Sequence, residues 1–102
     1  MNRVDNLYNA LKGIEKNMQK LRNEESILDY RIQEIFAGWM NAERFDRTIS
    51  PDKKHIQSKA IESWNNRIFE IERRLRFQRS LHARMLETYD NLLRVEFAKF
   101  MN

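Results

Sequence analysis

Apolar side chains recur along the first half of the chain in steps that alternate between three and four residues. The series begins at Val4 and has one polar interruption, at Glu25. Its members are Val4, Leu7, Leu11, Ile14, Met18, Leu21, Glu25, Leu28, Ile32, Ile35, Trp39 and Ala42. This spacing places the series on one face of a helix, at the a and d positions of a heptad repeat. The pattern predicts one long amphipathic helix over about residues 3–46.

A stop and a new start follow this series. The only proline of the chain, Pro51, comes directly after Ser50. Serine is a good N-cap, and proline suits the first helical position because its missing N–H would have no partner there. Asp52 then brings a negative charge to the positive end of the new helix. We therefore expect a turn over about residues 47–50 and a second, antiparallel helix over about residues 51–100.

The apolar series of the second helix allows two interpretations after Leu75. Up to that point it is a regular heptad: Ile61, Trp64, Ile68, Ile71 and Leu75. The strict continuation then falls on Gln78, His82, Met85, Tyr89, Leu92 and Glu96. A second line contains more large apolar residues: Gln78, His82, Leu86, Tyr89, Leu93, Phe97 and Phe100. We interpret the second line as facing helix 1. Its mean step is nearer 3.67 than 3.5 residues, which indicates an inserted stutter, where a supercoil locally unwinds.

The predicted fold is all-α, a long antiparallel two-helix coiled-coil hairpin that forms a single domain over residues 1–102. Glu25 interrupts its seam, by which we mean the a and d positions that face the other helix. This glutamate either fixes the pairing through Arg74 or Arg79 or simply reaches water. Gly38 gives room to a bulky neighbour, marks a bend, or is a tolerated glycine near a helix end.

Further apolar residues lie outside the predicted seam on both helices. They are Tyr8, Ile27, Phe36, Met40, Phe45, Phe69, Phe77, Leu81 and Val95. A helix needs such a wide apolar face when it touches more than one neighbour. We expect a homodimer that forms a four-helix bundle, since two-fold dimers are the commonest soluble oligomers. The alternatives are helices of a different protein, or a bend near Gly38 that gives a monomeric three-helix bundle.

Positive charge is concentrated in the second helix. The chain has a formal net charge of +4. The segment from Arg67 to Arg84 contains six arginines but only two acidic residues, Glu70 and Glu72. Arginine suits the recognition of phosphates and carboxylates, so this segment is a candidate docking surface for nucleic acid or an acidic protein. The competing interpretation is that these arginines pair with glutamates one turn away and support their own helix.

Residues that could carry chemistry are few and scattered. The chain has no cysteine, which excludes disulfides, thiolate catalysis and cysteine zinc sites. Asp52 and His55 share a helical face, but two ligands do not make a metal site. His82 falls on the seam and is expected to be a packed, hydrogen-bonded histidine. We expect no enzyme, cofactor or metal, no membrane span and a cytoplasmic location.

The function predicted from these patterns is that of a non-enzymatic protein–protein interaction module. It would be an adaptor, chaperone or assembly factor that packs helices against a second copy or another helical protein. The alternative is a basic helical regulator that binds nucleic acid. The residues expected to bind a partner are Arg73, Arg76, Arg79, Phe69, Phe77, Leu81, Phe36 and Met40.

Overall fold

Two helices account for almost all of residues 2–101, which are the residues that this computed structural model describes. Helix α1 spans Arg3–Arg44 and helix α2 spans Pro51–Met101, and no strand is present in that range. The two helices pack against each other as a hairpin, which confirms the predicted all-α fold class. The predicted ends, at about residues 46 and 100, lie within two residues of the observed ones.

Helix α1 starts with a side-chain cap that the sequence analysis did not include. The Asn2 Oδ1 atom accepts a hydrogen bond from the Asp5 backbone N–H at 2.8 Å. This bond satisfies one of the donors that every helix leaves unpaired in its first turn. The Asp5 carboxylate also places negative charge at the positive end of the helix dipole.

The end of α1 is set by a left-handed residue. Asp46 has a φ of 52°. The Arg47 N–H donates to the Ala42 carbonyl at 2.7 Å, and the Asp46 N–H donates to the Glu43 carbonyl at 3.3 Å. This pair of bonds is a Schellman motif, which satisfies carbonyl groups that the helix end would leave unpaired. Because Asp46 already leaves the helical conformation, α1 ends at Arg44.

The start of α2 agrees with its prediction. The Ser50 Oγ atom accepts a hydrogen bond from the Lys53 backbone N–H at 3.2 Å, so Ser50 is the N-cap. Pro51 occupies the first helical position, and Asp52 is the acidic residue of the first turn. The predicted roles of Ser50 and Pro51 are thereby confirmed.

The hairpin consists of two compact units. The open-end unit combines Met1–Leu21 with Arg73–Asn102, and the turn-end unit is Arg22–Glu72. Within the open-end unit, the rings of Tyr8 and Tyr89 lie 6.2 Å apart. Within the turn-end unit, the two helices run antiparallel on either side of the turn.

The predicted seam of α1 is confirmed at each of its positions. Leu11, Met18, Leu28 and Ile32 are buried, and the other members are half-buried. The remaining residues of α1 are exposed, apart from Glu24. The alternating three- and four-residue steps therefore gave the buried face of α1 correctly, including the half-buried position of Glu25.

The predicted line of α2 after Leu75 is wrong at Leu86, Leu93, Phe97 and Phe100, whereas Gln78, His82 and Tyr89, which belong to both lines, are half-buried as expected. Met85 and Leu92 are half-buried, whereas Leu86 and Leu93 are exposed. Phe97 and Phe100, the last two members of the predicted line, are 66% and 87% exposed. The buried face of α2 thus follows the strict heptad as far as Leu92, and the inferred stutter is absent from it.

Two contacts of the open-end unit that share one register explain this correction. The residue numbers add to 97 both in the Tyr8–Tyr89 ring contact and in the Glu15–His82 hydrogen bond. Since α1 keeps a heptad repeat down to Val4, only the heptad line of α2 stays in contact with it. In this register the start of α1 is level with the region of α2 just after Leu92.

Polar atoms are buried at one seam position in each unit. In the turn-end unit, the Oε2 atom of Glu25 accepts no hydrogen bond from the residues that the structure describes. The same holds for the Oε1 atom of Gln78 in the open-end unit. A buried acceptor without a donor destabilises the fold by about 1–3 kcal/mol. The pairing of Glu25 with Arg74 or Arg79 stays a prediction.

Gly38 does not interrupt α1, and it makes no room for a neighbour. The helix is continuous from Arg3 to Arg44, and an ideal Cβ atom at Gly38 would meet no atom within 4 Å. The alternative of a three-helix bundle with a bend at this glycine is therefore wrong. A bend in α1 at Gly38 and a simply tolerated glycine both stay predictions.

Candidate interaction surfaces

All eight residues predicted to bind a partner have exposed side chains. The structure does not bring them together as one site. Three of them belong to the turn-end unit: Phe36, Met40 and Phe69. Five belong to the open-end unit: Arg73, Arg76, Arg79, Phe77 and Leu81.

Three arginines of the open-end unit share the outer side of α2. At about 100° per residue, Arg73, Arg76 and Arg79 fall within an arc of about 120°. All three are exposed. They form one basic face on this side of the helix.

Arg67 has a different role from that of the outer arginines. Its Nε atom donates to the Glu24 carboxylate at 3.1 Å, and its Nη2 atom donates to Oε2 of the same carboxylate at 2.8 Å. Its Nη1 atom also lies 3.5 Å from the Glu70 carboxylate. The hydrogen bond with Glu24 raises the pKa of the Arg67 guanidinium. Arg67 thus joins the two helices of the turn-end unit and is occupied within the chain.

Phe77 and Leu81 lie on another side of α2, one helical turn apart. The Phe77 ring borders a shallow cavity of about 350 Å³ in the open-end unit. Its lining residues are Arg73, Arg74, Phe77 and Gln78. An apolar ring next to guanidinium groups can hold an apolar side chain that carries a carboxylate.

An apolar surface of the open-end unit consists of residues from the wrongly assigned line. Leu86, Leu93, Phe97 and Phe100 lie within an arc of about 60° on α2, at about 100° per residue. We call these four residues the open-end stripe. All are exposed. Leu86, Leu93 and Phe100 are heptad e positions, directly beside the seam, as is the exposed Tyr8 on α1.

A cleft beside the turn contains two of the predicted residues, Phe36 and Met40. Its volume is about 630 Å³, and its walls include Phe36, Trp39, Met40, Arg47, Ile49 and Lys54. We call it the turn-end cleft. The rings of Phe36 and Trp39 meet edge to face, with centroids 5.5 Å apart and an interplanar angle of 75°. The Lys54 ammonium lies 5.4 Å from the centre of the Trp39 ring.

Trp39 is held in place by a hydrogen bond across the turn-end unit. Its indole N–H donates to the Gln57 Oε1 atom at 2.7 Å. Trp39 was predicted only as a seam residue, and its role in the cleft was not foreseen. The sequence did contain a signal, because Phe36 and Met40 lie four residues apart next to a tryptophan on the same helix.

His82 is a half-buried seam residue that is hydrogen-bonded, as predicted. Its Nε2 atom lies 3.2 Å from the Glu15 Oε1 atom on α1. The hydrogen bonds with His82 and Lys12 lower the pKa of the Glu15 carboxyl group. This contact joins the two helices of the open-end unit. Protonation of Glu15 removes the negative charge of the carboxylate that makes it.

Metal-binding clusters and bilayer-spanning helices are both absent from residues 2–101. Within residues 2–101, no group of three or more His, Asp or Glu side chains is placed to hold a metal ion. No stretch of α1 or α2 combines the length and the apolar character that a bilayer-spanning helix needs.

Comparison with known proteins returned nothing for this chain: no protein family, no curated protein and no solved structure matches it.

Proposed function

We propose that this protein is a non-enzymatic interaction module that packs its helices against a second copy of the chain. The observation that carries the proposal is the open-end stripe, an exposed apolar surface next to the seam. In an isolated pair of helices the e positions are usually charged. Leucine and phenylalanine at these positions widen the apolar face, as a helix with more than one neighbour requires.

The accessible surface of the chain supports a second packing layer. It amounts to 8264 Å². A compact monomer of 12.5 kDa would expose about 6,200 Å². The excess of about 2,100 Å² arises because each helix has only one neighbour, and it is comparable to the roughly 1,000–2,500 Å² that each subunit buries in an obligate dimer.

The distribution of apolar side chains also supports a second packing layer. Among residues 2–101, seven hydrophobic side chains are buried and sixteen large ones are exposed. A core of this size covers only one face of each helix. A second copy that packs on the stripe would bury leucines and phenylalanines at about 1.5–3 kcal/mol for each fully covered side chain.

Both helices of the open-end unit contribute to this face, which favours a four-helix bundle. Tyr8 on α1 and Leu86 and Leu93 on α2 all occupy e positions of their heptads. In an antiparallel pair the e positions of the two helices lie on the same side of the seam. One side of the unit therefore presents apolar groups from both helices to a partner, and a two-fold axis would match it with an identical side.

Sedimentation velocity of the purified chain tests the proposal. The expected mass is twice 12.5 kDa at micromolar concentration. Phe97→Glu and Phe100→Glu should give monomers with an unchanged helical circular dichroism signal, because these side chains are 66% and 87% exposed. Tyr30→Glu is the matched control, since Tyr30 is 65% exposed on the outer side of α1. A wild-type chain that remains a monomer at all concentrations would refute self-assembly.

A second candidate function is the binding of nucleic acid. It is favoured by the compact outer face of Arg73, Arg76 and Arg79. Fluorescence anisotropy with duplex and single-stranded oligonucleotides at low salt would test it. Replacing all three arginines by alanine should weaken binding and reduce the salt dependence by about two to three charges. The absence of binding at low salt would eliminate this candidate.

The adaptor or chaperone role and the cytoplasmic location stay predictions.

A further inference from the structure

We infer that the turn-end cleft is a separate docking site for an acidic peptide segment that inserts a large apolar side chain. The cleft lies entirely within the turn-end unit. The inference goes beyond the proposed self-assembly, which involves residues of the open-end unit.

The aromatic wall of the cleft is pre-organised. The hydrogen bond from the Trp39 indole to Gln57 fixes the plane of the tryptophan ring. Phe36 packs against this ring edge to face at 5.5 Å. A rigid aromatic wall loses little conformational entropy when a ligand binds, so more of the contact energy appears as affinity.

The cleft also contains a flexible side chain, Met40, and its volume is large enough for an inserted side chain. Met40 is 69% exposed, and its unbranched thioether can adjust to different apolar shapes. A volume of about 630 Å³ is within the usual range of about 300–1,000 Å³ for binding pockets. It accommodates a leucine, phenylalanine or tryptophan side chain together with part of the backbone that carries it.

The charges around the cleft select an acidic partner. Arg47 and Lys54 line it, against one acidic residue, Glu43. The Lys54 ammonium lies over the Trp39 ring, so it stands at the edge of the place where the apolar side chain would insert. A carboxylate one or two residues from the inserted side chain would meet both cations.

A peptide fits the turn-end unit better than a membrane or nucleic acid does. Asp46 and Asp52 are exposed on either side of the turn. A carboxylate of a peptide placed beside them would be repelled as a phosphate would, but the closely spaced phosphates of an anionic bilayer or of a nucleic acid could not avoid them. A peptide places its few charges individually and can avoid these two groups.

Selection from a displayed library of random peptides, each about twelve residues long, tests the inference on the full chain. The enriched peptides should combine Asp or Glu with Leu, Phe or Trp. In titrations with the best such peptide, Met40→Ala and Phe36→Ala should each weaken binding about tenfold. Ile56→Ala is the matched control, because Ile56 is 68% exposed in the same unit and does not line the cleft. Lys54→Glu should also weaken binding about tenfold, whereas Lys59→Glu should not.

The alternative outcomes each overturn the inference. Selection of no peptide, or of basic peptides, would contradict the proposed charge preference. Equal losses in the Ile56 and Met40 variants would show that binding occurs outside the cleft. Vesicles of phosphatidylglycerol or duplex DNA that bind with the same dependence on Met40 would assign the cleft to another class of partner. Sedimentation of the Met40 and Lys54 variants should give the wild-type mass, so that failure here is distinct from failure of self-assembly.

Discussion

Asp46 adopts a left-handed backbone conformation, with a φ of 52°, at the point where α1 ends. This conformation is disfavoured for residues with a Cβ atom, and aspartate tolerates it better than most. The Schellman bonds of Arg47 and Asp46 hold the residue there. This backbone conformation lets the chain leave the helix within a few residues, so that Ser50 lies at the start of α2.

Replacing Asp46 by glycine should stabilise the protein. Glycine adopts positive φ without a steric penalty, so Asp46→Gly should raise the free energy of unfolding by about 0.5–1 kcal/mol. Asp46→Ala is the control, and it should not stabilise because alanine keeps the Cβ atom. Urea denaturation monitored by circular dichroism measures both changes. A glycine variant less stable than the wild type would show that the Asp46 side chain itself is needed.

The contact between Glu15 and His82 should make the open-end unit sensitive to acid. The pKa of Glu15 is lowered in the folded state, so its contribution is present above the unfolded carboxyl pKa and is lost as the pH falls through the folded pKa. Wild-type protein should melt at a higher temperature than Glu15→Gln at neutral pH, and this difference should vanish in acid. Melting curves from about pH 7 to about pH 3 test this.

A control on α2 separates this effect from general acid destabilisation. Glu96 forms an ion pair with Lys99 on its own helix. The variant Glu96→Gln should follow the wild-type pH dependence, because its contact does not join the two helices. A difference between wild type and Glu15→Gln that stays constant down to acid pH would contradict the account.

At the scale of the helices, the heptad repeat decides which side chains are buried, and its polar members lower stability. The repeat of α1 could be predicted from the sequence because its steps alternate without a slip from Val4 to Ala42. In α2 the same rule competes with the apolar residues Leu86 and Leu93, which stand one position after the seam residues Met85 and Leu92. Apolar residues at adjacent positions do not show from sequence alone which of them faces the other helix.

The polar seam residue Glu25 should be replaceable with a gain in stability. Glu25→Leu removes a buried oxygen without a hydrogen bond, and it should raise the free energy of unfolding by about 1–3 kcal/mol. Glu24→Leu, one position earlier, is the control. It should lower stability because it removes the carboxylate that binds Arg67. Chemical denaturation of the two variants measures the contrast, and equal effects would show that the Glu25 carboxylate is satisfied.

The glycine within α1 should also be replaceable. An added Cβ atom at Gly38 meets nothing within 4 Å, so Gly38→Ala should raise the free energy of unfolding by up to about 1 kcal/mol. Gly13 has the same open surroundings, and Gly13→Ala should behave alike. A loss of stability for Gly38→Ala alone would indicate that a bend at this residue matters. Thermal and chemical denaturation of both variants provide the test.

At the scale of the whole molecule, the apolar surface outside the seam is the feature on which the proposed self-assembly rests. The wide apolar face was predicted from residues such as Phe36 and Phe77, and these are exposed as expected. The sequence assigned Phe97 and Phe100 to the seam, because they belong to the periodic line with more large apolar residues. Their exposure in the structure shows that they lie outside the seam. Contacts between distant residues, such as Arg67 with Glu24, are set by register and not by local pattern.

Amide hydrogen exchange of residues 94–101, followed as a function of protein concentration, tests the central claim most directly. In the isolated hairpin these residues have little packing, so their amides should exchange quickly. If a second copy covers the open-end stripe, exchange should slow as the protein concentration rises, and Phe97→Glu should remove this protection. Fast exchange at every concentration, equal in the wild type and the variant, would contradict the account.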